Sequence, residues 1–508
     1  MTETNSIFIK NITVLKKRFP EIAKKIIEAD KNDDYTGTEK AKTGENLPVL
    51  KNGKSFHSKY NPVRESEKMF TGNENFILFC GLGGGIHIEY FLKTFKEYYC
   101  AATEASYPTL KNLLEIIDFS NIFDNKRFFF FPPITDTSFN KIFIQSYIPA
   151  LHGNFEIKIL RTWEDFYKDN LEVLKNKINQ AFDLIKTDTA TQAAFGKIWM
   201  RNLLLNLKTA SNINPKIPKP DLTKTALILG AGPSLEKDLT KIKNNRNTYV
   251  IFCSDTAFPI LNTNNINADF FISIDPQIIS YSHCFKPFSD KTIAIFDLCA
   301  NPTTVNQFEN NGNNFFFTKG NHPFSRYASY FSPFPYMDTG SGTVAIAAKA
   351  AALSMGFKNI EISGLDFAYT EGKAYANGTY LSKKFTAEST KTEPLETSFI
   401  NLMFRTPVKK IMENGKITYT AELLNGYKIF FNSGNISFFI WKNEEFKTFP
   451  YNQFIEILKN EAKKQSPQLK TGFLPYFTYK SKNFNKNKSN LCDLELVLSD
   501  ILGYTIVR

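Results

Sequence analysis

Ala226-Leu-Ile-Leu-Gly-Ala-Gly-Pro-Ser-Leu235 is the stretch whose reading decides the fold. Four apolar residues run straight into Gly-Ala-Gly, and Pro233-Ser234 opens a polar stretch with helical character. The pattern predicts a buried strand, a tight turn and the start of a helix. Proline suits the first turn of a helix, where its missing N–H is not needed. A helix start offers unpaired backbone N–H groups and a partial positive charge, and glycines let a phosphate approach them closely. Gly230, Gly232, Pro233, Ser234 and Leu235 are therefore the expected phosphate-contacting residues. Leu235 stands where a dinucleotide fingerprint has its third glycine, which moves the turn away from dehydrogenases. No GxxxxGK[ST] occurs, which excludes a P-loop ATPase. A tight turn without a ligand is the competing reading.

The alternation continues downstream. Residues 248–253, 269–274, 292–296, 314–317 and 359–363 are short apolar runs that read as strands. Gly340-Ser-Gly-Thr343 opens an Ala-rich helix through Met355. Strands alternating with helices predict an α/β, Rossmann-like domain with a mostly parallel sheet. Ligands bind such sheets at the C-terminal ends of the strands. Asp255, Thr256, Asp275, His322, Asp338 and Asp366 all fall there. Each alone is an ordinary cap or turn former, but together they outline a cleft. Asp255 and Thr256 are expected at a ribose or base. Gly340, Ser341, Gly342 and Thr343 form a second candidate anion site. Asp275, Asp366 and His322 are the titratable groups placed to move a proton.

A second glycine turn lies upstream. The strand-like Phe76–Cys80 enters Gly81-Leu-Gly-Gly-Gly85, a helix follows from Ile86, and a strand from Tyr98 to Thr103 ends at Glu104. Residues 7–30 read as one amphipathic helix, 31–62 as a loop or arm, 126–135 and 143–151 as strand-like, and 163–210 as helical. The proline-rich 212–220 reads as a linker. From about 415 the expectation changes to short β pieces at 417–424, 427–432 and 436–441. A basic, exposed stretch follows at 456–490, and then a helix over 491–502. The expected domains are 1–215, 216–410 and 411–508, the last a small mixed α/β or helical region.

Composition narrows the function. The 508 residues suffice for two or three cores. The net charge of +12 is spread along the chain, so no nucleic-acid partner is expected. The six Cys form no CxxC pair and the five His show no HxxxH spacing, so neither a disulfide framework nor a metal site is expected. No signal-like start and no apolar run of about 20 residues is seen, so a cytoplasmic protein without a transmembrane segment is expected.

Longer motifs make a family visible. Ala226 to Leu239 resembles the opening motif of the motility accessory factor (Maf) family, whose central domain is shared with 6-hydroxymethylpterin diphosphokinase MptE-like proteins. Ala268-Asp-Phe-Phe-Ile-Ser-Ile-Asp-Pro276, Thr339-Gly-Ser-Gly-Thr-Val-Ala345 and Ile362-Ser-Gly-Leu-Asp-Phe-Ala-Tyr-Thr370 resemble its further motifs in the same order. In the last of these, Tyr369 joins the nucleotide-contacting candidates. Gly372-Lys-Ala-Tyr375 departs from the family's Gly-Lys-x-His. The turn at 230–235 also resembles that of bacterial sialyltransferases using CMP-sialic acid. The upstream turn with Glu104 resembles a degenerate methyltransferase unit for S-adenosylmethionine, kept as scaffold.

The resemblance implies transfer of a nonulosonic sugar from a CMP-linked donor to Ser or Thr of flagellin or another flagellar protein, with no firmly implied cofactor. The alternative it implies is ATP-dependent pyrophosphoryl transfer to a pterin alcohol, with Mg²⁺ on Asp275 and Asp366. A non-enzymatic flagellar docking factor is the third reading.

Overall fold

The computed structural model describes residues 3–284, 289–340, 342–413, 416–483 and 493–506. The chain divides into two units, Met1–Gln192 and Ala193–Arg508. The division falls inside a 43-residue helix, Lys168–Ala210.

The first unit holds an antiparallel hairpin of β1 (Tyr35–Lys40) and β2 (Asn46–Leu50). Its main sheet has β3 (Phe76–Cys80), β4 (Tyr99–Thr103), β5 (Phe128–Phe130) and β6 (Phe155–Ile159), ordered β5-β4-β3-β6 and parallel. Every residue of β3 is buried, as its unbroken apolar run implies for a central parallel strand.

Three expectations fail in this unit. The helix expected over 7–30 is two helices, Glu3–Arg18 and Pro20–Glu28, because Pro20 lacks the N–H to continue the first and begins the second. The arm expected at 31–62 contains the β1–β2 hairpin. Its strands bury few side chains, Tyr35 in β1 and Leu47, Pro48 and Leu50 in β2, too little apolar content to show as a pattern. The strand expected at 143–151 is helical, Phe139–Ser146 and Pro149–His152, with Phe139 and Phe143 buried one turn apart.

The second unit is built on six strands, β7 (Thr225–Leu229), β8 (Tyr249–Ser254), β9 (Phe270–Ser273), β10 (Ile293–Asp297), β11 (Phe315–Thr318) and β12 (Ile360–Ser363). Their order is β11-β10-β9-β8-β7-β12 and every pairing is parallel. The chain therefore steps outward from β7 to β11 and returns to pair β12 on the other side of β7. That reversal puts the first glycine turn at the switch point of the sheet, where such folds open a crevice. The helix Val344–Ser354 lies against β7, β8 and β9. Six buried alanines on it allow close approach to the sheet.

A small antiparallel sheet, β13 (Tyr369–Thr370), β15 (Lys416–Ala421) and β14 (Val408–Glu413), follows the central one. The expected β piece at 427–432 is instead part of a helix, Glu422–Asn432, which buries Phe431 against the core. Residues 436–441 form no strand. Trp441 there donates from Nε1 to Tyr336 O and from its amide to Ser354 O, so the segment is tied to the core one residue at a time. The described part of the basic stretch is helical, not a solvated strip. Its helices Tyr451–Lys463, Pro467–Gly472 and Leu474–Asn483 bury Phe454, Leu458, Leu469, Tyr476 and Phe477, expose Lys459 and Lys463, and pair the half-buried Lys480 with Asp500. Residues 484–490 lie outside the described residues. The last helix is Leu494–Ile506. Among the described residues, no helix is long and apolar enough to cross a membrane.

Candidate functional site

The turn after β7 is a close meeting of two backbones. Gly230 N donates to Ser363 O at 3.0 Å, and Gly232 N donates to Gly364 O at 2.8 Å. Gly364 has φ of +68°, a conformation that glycine adopts without strain. A Cβ on Gly232 would run into the Asp366 carboxylate and stand 2.8 Å from Gly364 O. Glycine is thus required here for space.

Asp366 occupies the place the sequence reading reserved for an anion. Its Oδ2 accepts from Ser234 N at 3.0 Å. Leu235 N donates to Gly232 O, and the Ser234 side chain makes no cap bond to the helix Leu235–Asn244. A phosphate at this turn must therefore displace the Asp366 carboxylate or share the amide with it. The helix start is further held by Glu236, which accepts from Asn377 N at 2.7 Å and pairs with Lys373 at 3.2 Å. Ala376 N donates to Ala231 O at 2.8 Å. These bonds fold residues 373–377 over the turn and bring Tyr375 to the sheet edge.

The next two strands carry a second group. Asp255 is buried, accepting from Thr256 N at 2.7 Å, Thr256 Oγ1 at 3.0 Å and Ser273 Oγ at 2.8 Å. Thr256 is thus a partner of Asp255. Asp275 accepts from Gln277 N at 2.8 Å. Burial raises the Asp275 pKa and the Asp255 charge raises it further, against the hydrogen bonds from Gln277 and, least, His283. His283 is buried, its Nδ1 without a hydrogen-bond partner among the described residues. Tyr375 is raised by burial and by Tyr369, Asp255 and Asp275, while Arg405 acts against them. Asp255, Asp275, His283, Tyr369, Tyr375 and Arg405 therefore share one electrostatic neighbourhood at the C-terminal edge of the sheet. Tyr369 sits in β13, opposite Tyr419. His283 and Arg405 were missed by sequence reasoning. Neither lies in a recognisable motif, and only the folded chain brings them to Asp275 and Tyr375.

The other candidates are dispersed. Gly340 N donates to Asp338 Oδ1 at 2.9 Å, and Gly342 N donates to Thr339 O at 3.0 Å. Thr343 is the N-cap of Val344–Ser354 without a side-chain cap bond. Ser341 lies outside the described residues. His322 caps the helix Pro323–Ala328, its Nδ1 accepting from Phe324 N at 3.1 Å. Its ring meets Trp199 edge-on with centroids 5.7 Å apart. Burial lowers its pKa to about 3, so it stays neutral across the physiological range. Among the described residues, no group of three or more His, Cys, Asp or Glu is placed to hold a metal ion.

The upstream glycine turn is filled by its own unit. A Cβ on Gly81 would lie 2.7 Å from Trp163 Cδ1, and one on Gly83 would lie 2.6 Å from His57 Nε2. Glu104, where a ribose is expected in a methyltransferase, is fully buried. It accepts from Trp163 Nε1, from Leu82 N at 3.4 Å and from Tyr35 OH at 3.3 Å. Burial pushes its pKa up to about 7 against the pull of these donors.

Comparisons with known proteins follow the same division. Residues 198–372 match the family "6-hydroxymethylpterin diphosphokinase MptE-like". An uncharacterized protein of Treponema pallidum (strain Nichols) is 43% identical over 223 residues, 44% of this chain and 80% of that protein. A second from the same organism is 43% identical over 175 residues, 34% of this chain and 83% of that protein. Among solved structures, a MAf glycosyltransferase from Magnetospirillum magneticum AMB-1 superposes with a TM-score of 0.54 at 12% identity, covering 98% of this chain and 90% of that one. Residues 198–372 are thus an MptE-like domain, and the chain as a whole shares the fold of that MAf glycosyltransferase.

Proposed function

We propose that the chain is a glycosyltransferase that moves a nonulosonic, sialic-acid-like sugar from a CMP-linked donor to a Ser or Thr hydroxyl of flagellin or another flagellar protein, in the cytoplasm. The observation that carries this reading is Asp275, a half-buried carboxylate of raised pKa beside Asp255, His283 and Tyr375 at the ligand-binding edge of the sheet. In the proposed reaction Asp275 takes the proton of the acceptor hydroxyl. The acceptor oxygen bonds to the anomeric carbon while the bond from that carbon to the phosphate oxygen breaks. CMP leaves with the electron pair, and Arg405, His283 and the Tyr375 hydroxyl offset its charge. The nucleoside lies at the ends of β7 and β8, where buried Asp255 holds Thr256 in place. The fold match adds support because it spans the N-terminal unit too, whereas the pyrophosphokinase-like match ends within residues 198–372.

One observation favours the pyrophosphoryl reading. Asp366 sits on the Ser234 amide, and Asp366 and Asp275 would be the carboxylates to hold a divalent cation, which would offset phosphate charge at the turn. Thermal unfolding with CMP, with ATP and Mg²⁺, and with S-adenosylmethionine separates the readings. A ligand at 100 times its dissociation constant adds about 2.7 kcal/mol. Stabilisation by CMP and not by ATP supports the transferase. Stabilisation by ATP with Mg²⁺ alone refutes it, and no response to any of the three favours a docking factor.

A further inference from the structure

The small antiparallel sheet beside the site has an open edge. Its order is β13-β15-β14, so β14 pairs with β15 on one side and, among the described residues, with no strand on the other. Such an edge presents a row of backbone N–H and C=O groups with which another strand can pair.

The two faces of this sheet differ. Thr418 and Thr420 of β15 are buried and face inward. On the opposite face Lys410 stands across from Tyr419, and Met412 across from Ile417. Met412 is 71% exposed and Ile417 48%. Phe404, also half exposed, meets the Tyr419 ring edge-on with centroids 5.5 Å apart. An apolar strip thus lies open beside the edge. The charge around it has one sign: residues 404–421 carry Arg405, Lys409, Lys410 and Lys416 against Glu413 alone. Arg405, Lys409 and Lys410 are exposed, and among the described residues none of the three pairs with a carboxylate. Lysines on an edge repel a second copy of the same edge and admit an acidic strand.

The edge is continuous with the site. Tyr369, Tyr419 and Lys410 stand side by side across the three strands. Tyr369, Tyr375 and Tyr419 pack against one small core of Ala374, Phe399 and Met403. Arg405, three residues before β14, acts on Tyr375. A chain laid along β14 therefore leads, at its Val408 end, toward Arg405 and the group around Tyr375 and Asp275. We infer that β14 is a docking edge for the acceptor polypeptide: an extended, acidic segment adds to the sheet as a fourth strand, rests alternate side chains on the strip of Met412 and Ile417, and leads a neighbouring Ser or Thr into the site. Backbone pairing supplies affinity, and the lysines select the charge of the segment. This inference rests on the glycosyltransferase reading with a protein acceptor.

Fluorescence anisotropy of the full chain tests it with a labelled peptide of about twelve residues in which Val or Thr alternates with Asp or Glu. The wild type binds this peptide saturably. The same peptide N-methylated along its backbone, or with Lys in place of its acids, binds at least about ten-fold more weakly. Lys409→Glu combined with Lys410→Glu reverses the preference to the Lys peptide and leaves CMP affinity within about two-fold. No saturable binding of the acidic peptide overturns the docking edge. Equal binding of the N-methylated peptide also overturns it, because charge alone then accounts for the attraction. The N-methylated peptide needs no variant, so the test holds if the double variant does not fold. A wild type that binds the acidic peptide but no CMP compound overturns the transferase reading, and the acceptor role of the edge with it.

Discussion

Replacing Gly232 by alanine probes the meeting of the β7 turn with the β12 turn. The new methyl runs into the Asp366 carboxylate and stands 2.8 Å from Gly364 O. The side chain of Asp366 can swing away, which gives up its bond to Ser234 N, a charge-assisted hydrogen bond worth about 1.5–3 kcal/mol. Gly364 O belongs to the backbone leaving β12 and is itself bound by Gly232 N, so it can only be pushed, at about 1 kcal/mol or more. The sum is about 3 kcal/mol, or about 4–5 °C in the midpoint of the transition for a unit of this size. Calorimetry or urea unfolding measures it. In an Asp366→Ala background the first contribution is absent, and the same Gly232→Ala change costs only about 1 kcal/mol. The coupling between the two positions is therefore about 2 kcal/mol. A Gly232→Ala protein as stable as wild type, or an equal penalty in both backgrounds, refutes the reasoning that Asp366 is the group filling the turn.

Asp275→Asn lowers the turnover of any measured glycosyl transfer about 10²–10⁴-fold with little change in donor affinity, the signature of a lost base; a change in KM alone contradicts the role. His283→Ala, tested for binding of CMP, leaves affinity within a few-fold but slows transfer, and an unaltered rate removes His283 from the reaction. S-adenosylmethionine produces no shift in thermal unfolding, because Trp163, His57 and Tyr35 already fill the upstream turn and its acid; a saturable shift contradicts that. Glu104 gives a pH effect of defined sign. Its pKa rises from 4.5 unfolded to about 7 folded, so its contribution favours folding below pH 4.5 and is lost as pH rises through 7. Relative to Glu104→Gln, the wild type loses about 3 kcal/mol between those limits in urea unfolding. A difference that does not change with pH contradicts the burial of an ionisable Glu104.

Much of the fold was readable because the central strands are continuous apolar runs ended by Gly or Asp. A parallel strand covered on both faces allows little else, and β7 to β12 lie within a residue or two of the expected stretches. The β1–β2 hairpin was not readable because it buries only a few side chains of a polar stretch. The helix Glu422–Asn432 was misread because Asn-Gly at 425–426 looks like a hairpin turn, whereas burial of Phe431 against the core decides for a helix. The site was readable in part. Strand-end position places Asp255, Asp275 and Asp366 at the sheet edge, since it follows from topology alone. What each acid does was not readable. Asp366 binds the Ser234 amide across 132 residues of sequence, and His283 reaches Asp275 through the short 3₁₀ helix Ile278–Cys284. His322 had the right strand end and the wrong task, because its ring nitrogen is committed to a helix cap.

What Asp275 does to an acceptor decides the proposed function most directly. The measurement is the intact mass of flagellin from cells in which the chain is replaced by its Asp275→Asn form, expressed at wild-type level. The expected flagellin is lighter by whole nonulosonic residues than flagellin from wild-type cells. Flagellin of unchanged mass contradicts the assignment of this site to flagellin glycosylation.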